Sequence, residues 1–492
     1  MKNKAKAFAT IMATVMVGSA FAGCFGMGGS SESDVNLTSE EAQKFVETYG
    51  DWSDKELEIT AIDKGLGTDW LKDAARMFNK GTGSKISVKA DEQLNERLAS
   101  VVSTENCSDI YFSFSAELQW IEWALSEAIV PLTDINNSLT YRNEQYAKLG
   151  VYEDVRYIMP YAYSPTGFVY NEEYINEIPS YGEFTQGTFP ATWQGLLDMC
   201  YSINNNWKKT ALGQQVVPMS WGASVDDMNY IFKGLWAQVD YDGFNNYYNQ
   251  EYRAKVDNDE NKLLLVNDST VKVLDSIAAL LNPQQNASGK YYPTNSFSDS
   301  LGHSNRDAQQ KFLNGLSVFC ISGAWFETEM KEQIEDEELD FYRFASAPII
   351  NEGGKSTVFI NAPSEYFMIT AKGKNDNQDL AKAFLTYMAS EDATRLFHAS
   401  TGVPCSLTYK TPADALSEFA KGVANVTDNS VHAIAGSDQL PSLSGAIHFQ
   451  TSALFQSLAT NAASTAYSAS LLEGIYDVQK ADWETRFEAF NK

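Results

Sequence analysis

The chain of 492 residues carries 37 Lys and Arg against 64 Asp and Glu, a formal charge of −27. Such a surface repels nucleic acid and anionic lipid headgroups, which excludes both as partners. Past the first residues no stretch is long and apolar enough for a membrane-spanning helix, which needs about 20 residues, and roughly 440 residues remain, enough for two domains with their own cores.

Residues 1–23 have the three-part pattern of an export leader: Lys2, Lys4 and Lys6, the apolar run Ala7 to Val17, then Gly18, Ser19 and Ala20. The following Phe21-Ala22-Gly23-Cys24 resembles the bacterial lipobox, with Phe where Leu is usual, which implies acylation of Cys24. Residues 24–55 then read as the lipidated cysteine and a flexible tether, rich in Gly, Ser and acids at its start.

Leu57 to Ile62 predicts a strand, and Trp70, Leu71, Ala74, Ala75 and Phe78 recur at helical spacing until Gly81 stops the helix. Ile86 to Val88 and Ile110 to Phe114 are further strands around a helix at Gln93 to Val102, with a helix from Ala116 to Glu127 after them. That alternation predicts an α/β lobe with a largely parallel sheet. From Tyr157 to Phe168 three breakers, Pro160, Pro165 and Gly167, stand among aromatics, which is crossover or hinge chemistry.

Helices follow after an N-cap at Thr192, and at Val225 to Ala237, Thr270 to Leu281, Asp307 to Leu313 and Trp325 to Ile334, with the strand Ser317 to Ile321 before the last. The acidic run Glu332 to Asp340 is the solvated end of that helix. Phe341 to Ile350 and Thr357 to Asn361 predict a hairpin around Asn351-Glu352-Gly353-Gly354, and Tyr366 to Thr370 another strand. Helices at Asp379 to Met388 and Ala393 to His398, then Ala- and Ser-rich helical segments, close the chain. Besides Cys24 there are four cysteines, Cys107, Cys200, Cys320 and Cys405; none forms a CxxC pair, and the apolar context of Cys200 and Cys320 suits buried thiols.

The order of segments resembles the extracellular solute-binding protein family 1, the sugar-binding subunits of bacterial ABC importers. Five stretches carry the resemblance: Ser108-Asp109-Ile110-Tyr111 with Ala128 to Leu132; Met159-Pro160-Tyr161 with Ser164 to Asn171; Phe189-Pro190-Ala191-Thr192-Trp193; Ala308 to Gly315 with Ile321 to Trp325; and Leu380 to Leu385 with Ser390 to Ala393. The resemblance implies a type II periplasmic-binding-protein-like fold: two α/β lobes joined by hinge segments, with the ligand cleft between them. Lobe one would comprise 56–158 and 348–401, and lobe two 159–347 and 402–492. It further implies a monomer on the outer face of the cell membrane, held there through its lipid alone, which binds a carbohydrate and hands it to permease subunits. No cofactor, metal or catalytic residue is implied.

In open α/β sheets ligands sit beyond the carboxyl ends of strands, which directs attention to Asp63, Lys64, Ser115, Trp221 and Trp325. Sugars offer C–H faces to flat rings and hydroxyl edges to polar groups. Trp221 and Trp325 match cleft positions of the family; Tyr163, beside Ser164-Pro165, and Trp70, Trp120 and Tyr366 are further ring candidates, with a core anchor as the competing role. Glu117 and Glu365 join Asp63 and Lys64 as hydrogen-bonding candidates, with surface charge or cap as theirs.

Enzymatic motifs are missing. The histidines His303, His398, His432 and His448 are too far apart for a metalloprotease helix; Gly354-Lys355-Ser356 lacks the first glycine of a phosphate loop, since Ile349 stands there; and Gly65-Leu66-Gly67 lacks the third glycine of a dinucleotide site, since Trp70 stands there. Two alternatives stay open: a cell-surface glycoside hydrolase, because 64 acidic residues can supply a carboxylate pair, and a binder of a non-sugar solute on the same fold.

Overall fold

The computed structural model describes residues 37–105, 107–114, 119–224, 227–248, 262–263, 265–333, 341–362, 364–375, 377–435 and 451–490. Cys24 and the leader, and the acidic run from 334 onward, lie outside these residues. Apart from three two-stranded ribbons, the strands in chain order are β1 (Glu56–Ile62), β2 (Lys85–Asp91), β3 (Ile110–Ser113), β4 (Met159–Pro160), β5 (Ser164–Asn171), β6 (Val217–Ser220), β7 (Ser317–Gly323), β8 (Tyr342–Ala345), β9 (Thr357–Asn361), β10 (Tyr366–Ile369) and β11 (Val431–Ile434). They form two mixed sheets, one per lobe.

The first sheet has the order β2-β1-β3-β10-β4; β1 is parallel to β2 and β3, whereas β10 runs antiparallel to β3 and β4. In the second, β6-β7-β5-β9-β11, the pairs β6/β7 and β9/β11 are parallel, and β5 is antiparallel to β7, β8 and β9. The expectation of a largely parallel sheet is therefore corrected to mixed sheets. A strand arriving from the other lobe enters at the hinge end, so it must run against the strands that βαβ connections have already laid down.

Three segments cross between the lobes and are bonded to one another. Residues 161–163 link β4 to β5, residues 362–365 link β9 to β10, and residues 402–406 return the chain to lobe two. Tyr161 N donates to Glu365 O at 2.8 Å, Tyr163 N to Pro404 O at 2.8 Å, and Ser406 N to Tyr161 O at 2.7 Å. The second crossing corrects the expected boundary at 348. β9 pairs with β5 in sheet two, so lobe one regains the chain only at β10.

The expected hairpin at 351–354 forms only as a turn, with Gly354 N donating to Asn351 O at 2.9 Å and a single antiparallel bridge from Ala347 to Thr357; beyond it β8 and β9 lie end to end along β5, β8 opposite Phe168 to Asn171 and β9 opposite Ser164 to Thr166. Gly167 stands between them, where a Cβ would come 2.2 Å from the Ala345 carbonyl oxygen. Thr192 does cap its helix, accepting from Gly195 N at 3.0 Å. Cys107, Cys200, Cys320 and Cys405 are buried free thiols.

The tether is shorter than the sequence reading gave it. Ser39–Tyr49 forms α1, started by a reciprocal capping box in which Glu41 N donates to Thr38 Oγ1 and Thr38 N to Glu41 Oε2. It packs on α2 (Asp69–Thr82), and this contact explains why Gly81 lies inside α2 rather than ending it: a Cβ there would stand 2.4 Å from the Phe45 ring. The actual terminator is Gly83, in the left-handed region at φ 76°. A Gly-to-Ala change in a helix interior ordinarily gains about 0.5–1 kcal/mol. Here Gly81→Ala should instead lower stability by about 1–3 kcal/mol, because Phe45 must be displaced. Denaturant unfolding measures the sign, and limited proteolysis at Lys44 should show α1 released.

Candidate functional site

The carboxyl ends of β1 and β7 bring the two lobes together. After β1 the chain turns through Gly65 and Gly67, both with positive φ (57° and 61°). A Cβ at Gly65 would lie 3.9 Å from Trp325 Cβ in the other lobe. Asp63 is half-buried at the start of this loop, its Oδ1 accepting from Thr68 Oγ1 at 3.3 Å. Lys64 is exposed and 3.5 Å from Glu96.

Trp325 faces that loop from lobe two and is half-buried. Its six-membered ring covers Gly323, where a Cβ would clash at 2.2 Å, so only glycine lets the indole lie down on the end of β7. Tyr230 meets Trp325 edge to face at 5.8 Å and stacks on Phe359 at 6.2 Å and 19°. Lys233 Nζ stands 4.8 Å over the Phe359 ring. Tyr230 and Lys233 belong to the helix Asp227–Val239, and Phe359 to β9, so three elements build one aromatic wall. On the lobe-one side, Ser113 at the end of β3 donates to Asn95 Oδ1 at 2.5 Å, and Phe114 is half-buried.

A second contact ties the lobes behind Trp325. Thr328 Oγ1 donates across the lobes to Thr401 O at 2.6 Å, and within lobe two Ser417 Oγ donates to Glu327 Oε2 at 2.7 Å. Burial raises the Glu327 carboxyl above the usual carboxylate range against the pull of that hydroxyl.

Of the residues singled out in the sequence, the structure places Asp63 and Lys64 on the loop whose Gly65 meets Trp325. Trp70 is 2% exposed, stacked on Tyr161 at 5.7 Å and 11° and set edge-on to Phe112 and Phe397; it is a core anchor of lobe one. Trp120 lies in the same core, also 2% exposed. Tyr163 is buried in a small cluster at the crossings, its hydroxyl 2.7 Å from His432 Nδ1 and its ring facing the Arg142 guanidinium. Trp221 is 1% exposed in the core of lobe two, and its Nε1 has no partner among the described residues. Glu365 and Tyr366 are buried at the second crossing, and Ser115 and Glu117 lie outside the described residues. The rings at Trp70, Trp120, Tyr163, Trp221 and Tyr366 thus present no open face in this conformation.

Tyr230 and Lys233 were missed by the sequence reading; Phe359 beneath them is 2% exposed and supports them from the core of lobe two. A signal existed for the first two: Met228, Ile231, Phe232 and Leu235 trace the buried stripe of their helix, which leaves positions 230 and 233, one turn apart, on another face. Among the described residues no group of three or more His, Cys, Asp or Glu could hold a metal ion, and no helix is long and apolar enough to cross a membrane.

Known structures share this architecture. The apo form of RafE from Streptococcus pneumoniae is 17% identical, with a TM-score of 0.59 over 87% of this chain and 98% of its own. The bacterial solute receptor AcbH, described as having an exclusive preference for β-D-galactopyranose, gives 14% identity and a TM-score of 0.63 over 87% of this chain and 99% of its own. A chitin oligosaccharide binding protein gives 15% and 0.60 over 88% and 99%. At such identities the likeness is one of fold, the two-lobed α/β architecture of solute-binding proteins. No curated protein sequence matches the chain significantly. Residues 73–425, most of the folded part, match the family described as bacterial extracellular solute-binding protein, a family of binders rather than enzymes, and the chain belongs to it.

Proposed function

We propose that this protein captures a carbohydrate between its lobes by hinge closure and delivers it unchanged to the permease of an ABC importer, from the outer face of the cell membrane where acylated Cys24 holds it. The observation that carries this reading is the seating of Trp325, with Tyr230 against its ring, on one lobe beside the Gly65 loop, which follows Asp63 and Lys64, on the other. Flat rings suit the C–H faces of a sugar, and a carboxylate with an ammonium suits its hydroxyl edge. The fold neighbours described as binding raffinose, galactopyranose and chitin oligosaccharides support the same class of ligand.

Closure follows from differential affinity: a solute that touches both lobes favours the form in which they meet. A half-buried tryptophan can leave without collapse of the fold, whereas a fully buried one cannot.

A thermal-shift panel of raffinose, galactose and chitin oligosaccharides tests the reading. A sugar at 100 times its dissociation constant should stabilise the protein by about 2.7 kcal/mol. Trp325→Ala should abolish that shift while costing the ligand-free protein under about 2 kcal/mol. A panel without any shift, or a Trp325→Ala variant that keeps it, would count against sugar capture at this wall. Trp221→Ala should behave in the opposite way, lowering ligand-free stability by about 3–5 kcal/mol through the cavity it leaves, as read by equilibrium unfolding.

A further inference from the structure

We propose that closure of the cleft is coupled to uptake of a proton by Glu365, so that the ligand-free protein opens as pH rises toward neutrality and closes in mildly acidic surroundings. This deepens, and rests on, the hinge-closing reading above.

Glu365 lies on the second crossing, and its carbonyl accepts the backbone bond from Tyr161 on the first, at 2.8 Å. Hinge motion concentrates its backbone rotations in segments of this kind. Asn361 and Ala362, at the start of the same crossing, are half-exposed, so solvent is only a few residues away.

The Glu365 side chain is buried, and its Oε2 has no hydrogen-bond partner among the described residues. No cation among them bonds to it. The titratable groups packed around the crossings are Tyr146 on the helix Glu144–Lys148, which senses Glu365 electrostatically, Tyr141 beside it, Tyr161 and Tyr163 on the first crossing, Tyr366 at the start of β10, Cys405 on the third, and Tyr409, whose hydroxyl accepts from Cys405 N. The nearby cations are committed elsewhere. Arg142 bonds Asp428 at 2.9 Å and faces the Tyr163 ring; Arg156 donates to Leu149 O at 2.9 Å; His432 contacts the Tyr163 hydroxyl, and burial holds it below its ordinary range. His398, depressed by burial to about 3, stays neutral at physiological pH.

An acid so enclosed is held in its neutral form: burial pushes Glu365 up to about 7, and the Ser364 hydroxyl offsets only part of this. Once opening admits water to the crossing, the carboxyl returns toward its usual range near 4.5. The closed form then binds more protons than the open form between those limits. Below both values the two forms are equally protonated and pH has no effect. As pH rises from about 4.5 to about 7 the open form gains by ionising, and beyond that the gain levels off.

The test needs no ligand. Spin labels on Glu92→Cys and Arg306→Cys, both exposed and one on each lobe, report the distance across the cleft. The ratio of open to closed protein should rise on the order of 50-fold between pH 5 and pH 8 if the open form fully hydrates the carboxyl. Glu365→Gln, or Glu365→Met where the amide does not fold, should remove this dependence and leave the protein closed throughout. A wild-type distance distribution that ignores pH, or a non-titrating variant that opens with pH as the wild type does, overturns the proposal. Because no sugar is present, failure of the sugar panel leaves this result readable, and a pH-independent hinge leaves sugar capture untouched.

Discussion

The structure depends on one constraint: three separate stretches of chain must pass through the same narrow junction and satisfy their backbone groups there. The bonds from Tyr161 N to Glu365 O, Tyr163 N to Pro404 O and Ser406 N to Tyr161 O do this by pairing the crossings with one another. A buried amide without a partner would cost about 1–3 kcal/mol, so the crossings must run side by side. From that follow the reversed strand in the first sheet and the two strands laid end to end along β5 in the second. The relative register of the lobes at the junction is thereby fixed.

Aromatic residues are divided between two tasks by how much of their surface each lobe can cover. Trp70, Trp120 and Trp221 sit on helix faces or strand ends that neighbouring elements enclose completely, and the core uses their area. Trp325 escapes because it follows Gly323, whose missing side chain lets the indole fold back over the strand end. Tyr230 meets the ring edge to face, and the glycine-bearing loop of the opposite lobe approaches its Cβ. Two glycines, one under the ring and one across from it, keep Trp325 at the junction of the lobes and out of either core.

Much of the fold was legible from periodicity alone. β1, β3, α2 and the helix capped by Thr192 follow from local patterns of apolar residues and breakers. α1 was legible too, since Thr38 and Glu41 spell a capping box, but the acid-rich residues around it read more readily as tether. What local pattern cannot carry is pairing. Whether Thr357 to Asn361 turns back on β8 or continues along β5 is decided by residues nearly 200 positions away, through the notch at Gly167. The same holds for the site: a tryptophan in a loop after a strand looks alike at 221 and 325, and only the enclosing neighbours separate anchor from contact.

The buried acids show how the same fold prices charge in two ways. Glu58 lies on β1, where burial opposes its ionisation, but bonds from Lys89, Ser108 and Lys374 outweigh this and hold it below the usual carboxylate range. Asp109 is likewise saturated, accepting from Glu58 N, Asn375 N and Asn375 Nδ2, each at 2.8 Å. Both lie within one lobe, where partners do not move. Glu365 lies between lobes, and a permanent cation there would lock the crossings in one arrangement. Leaving it uncompensated keeps the two arrangements close in free energy, the condition under which a weakly held solute can shift the balance between them.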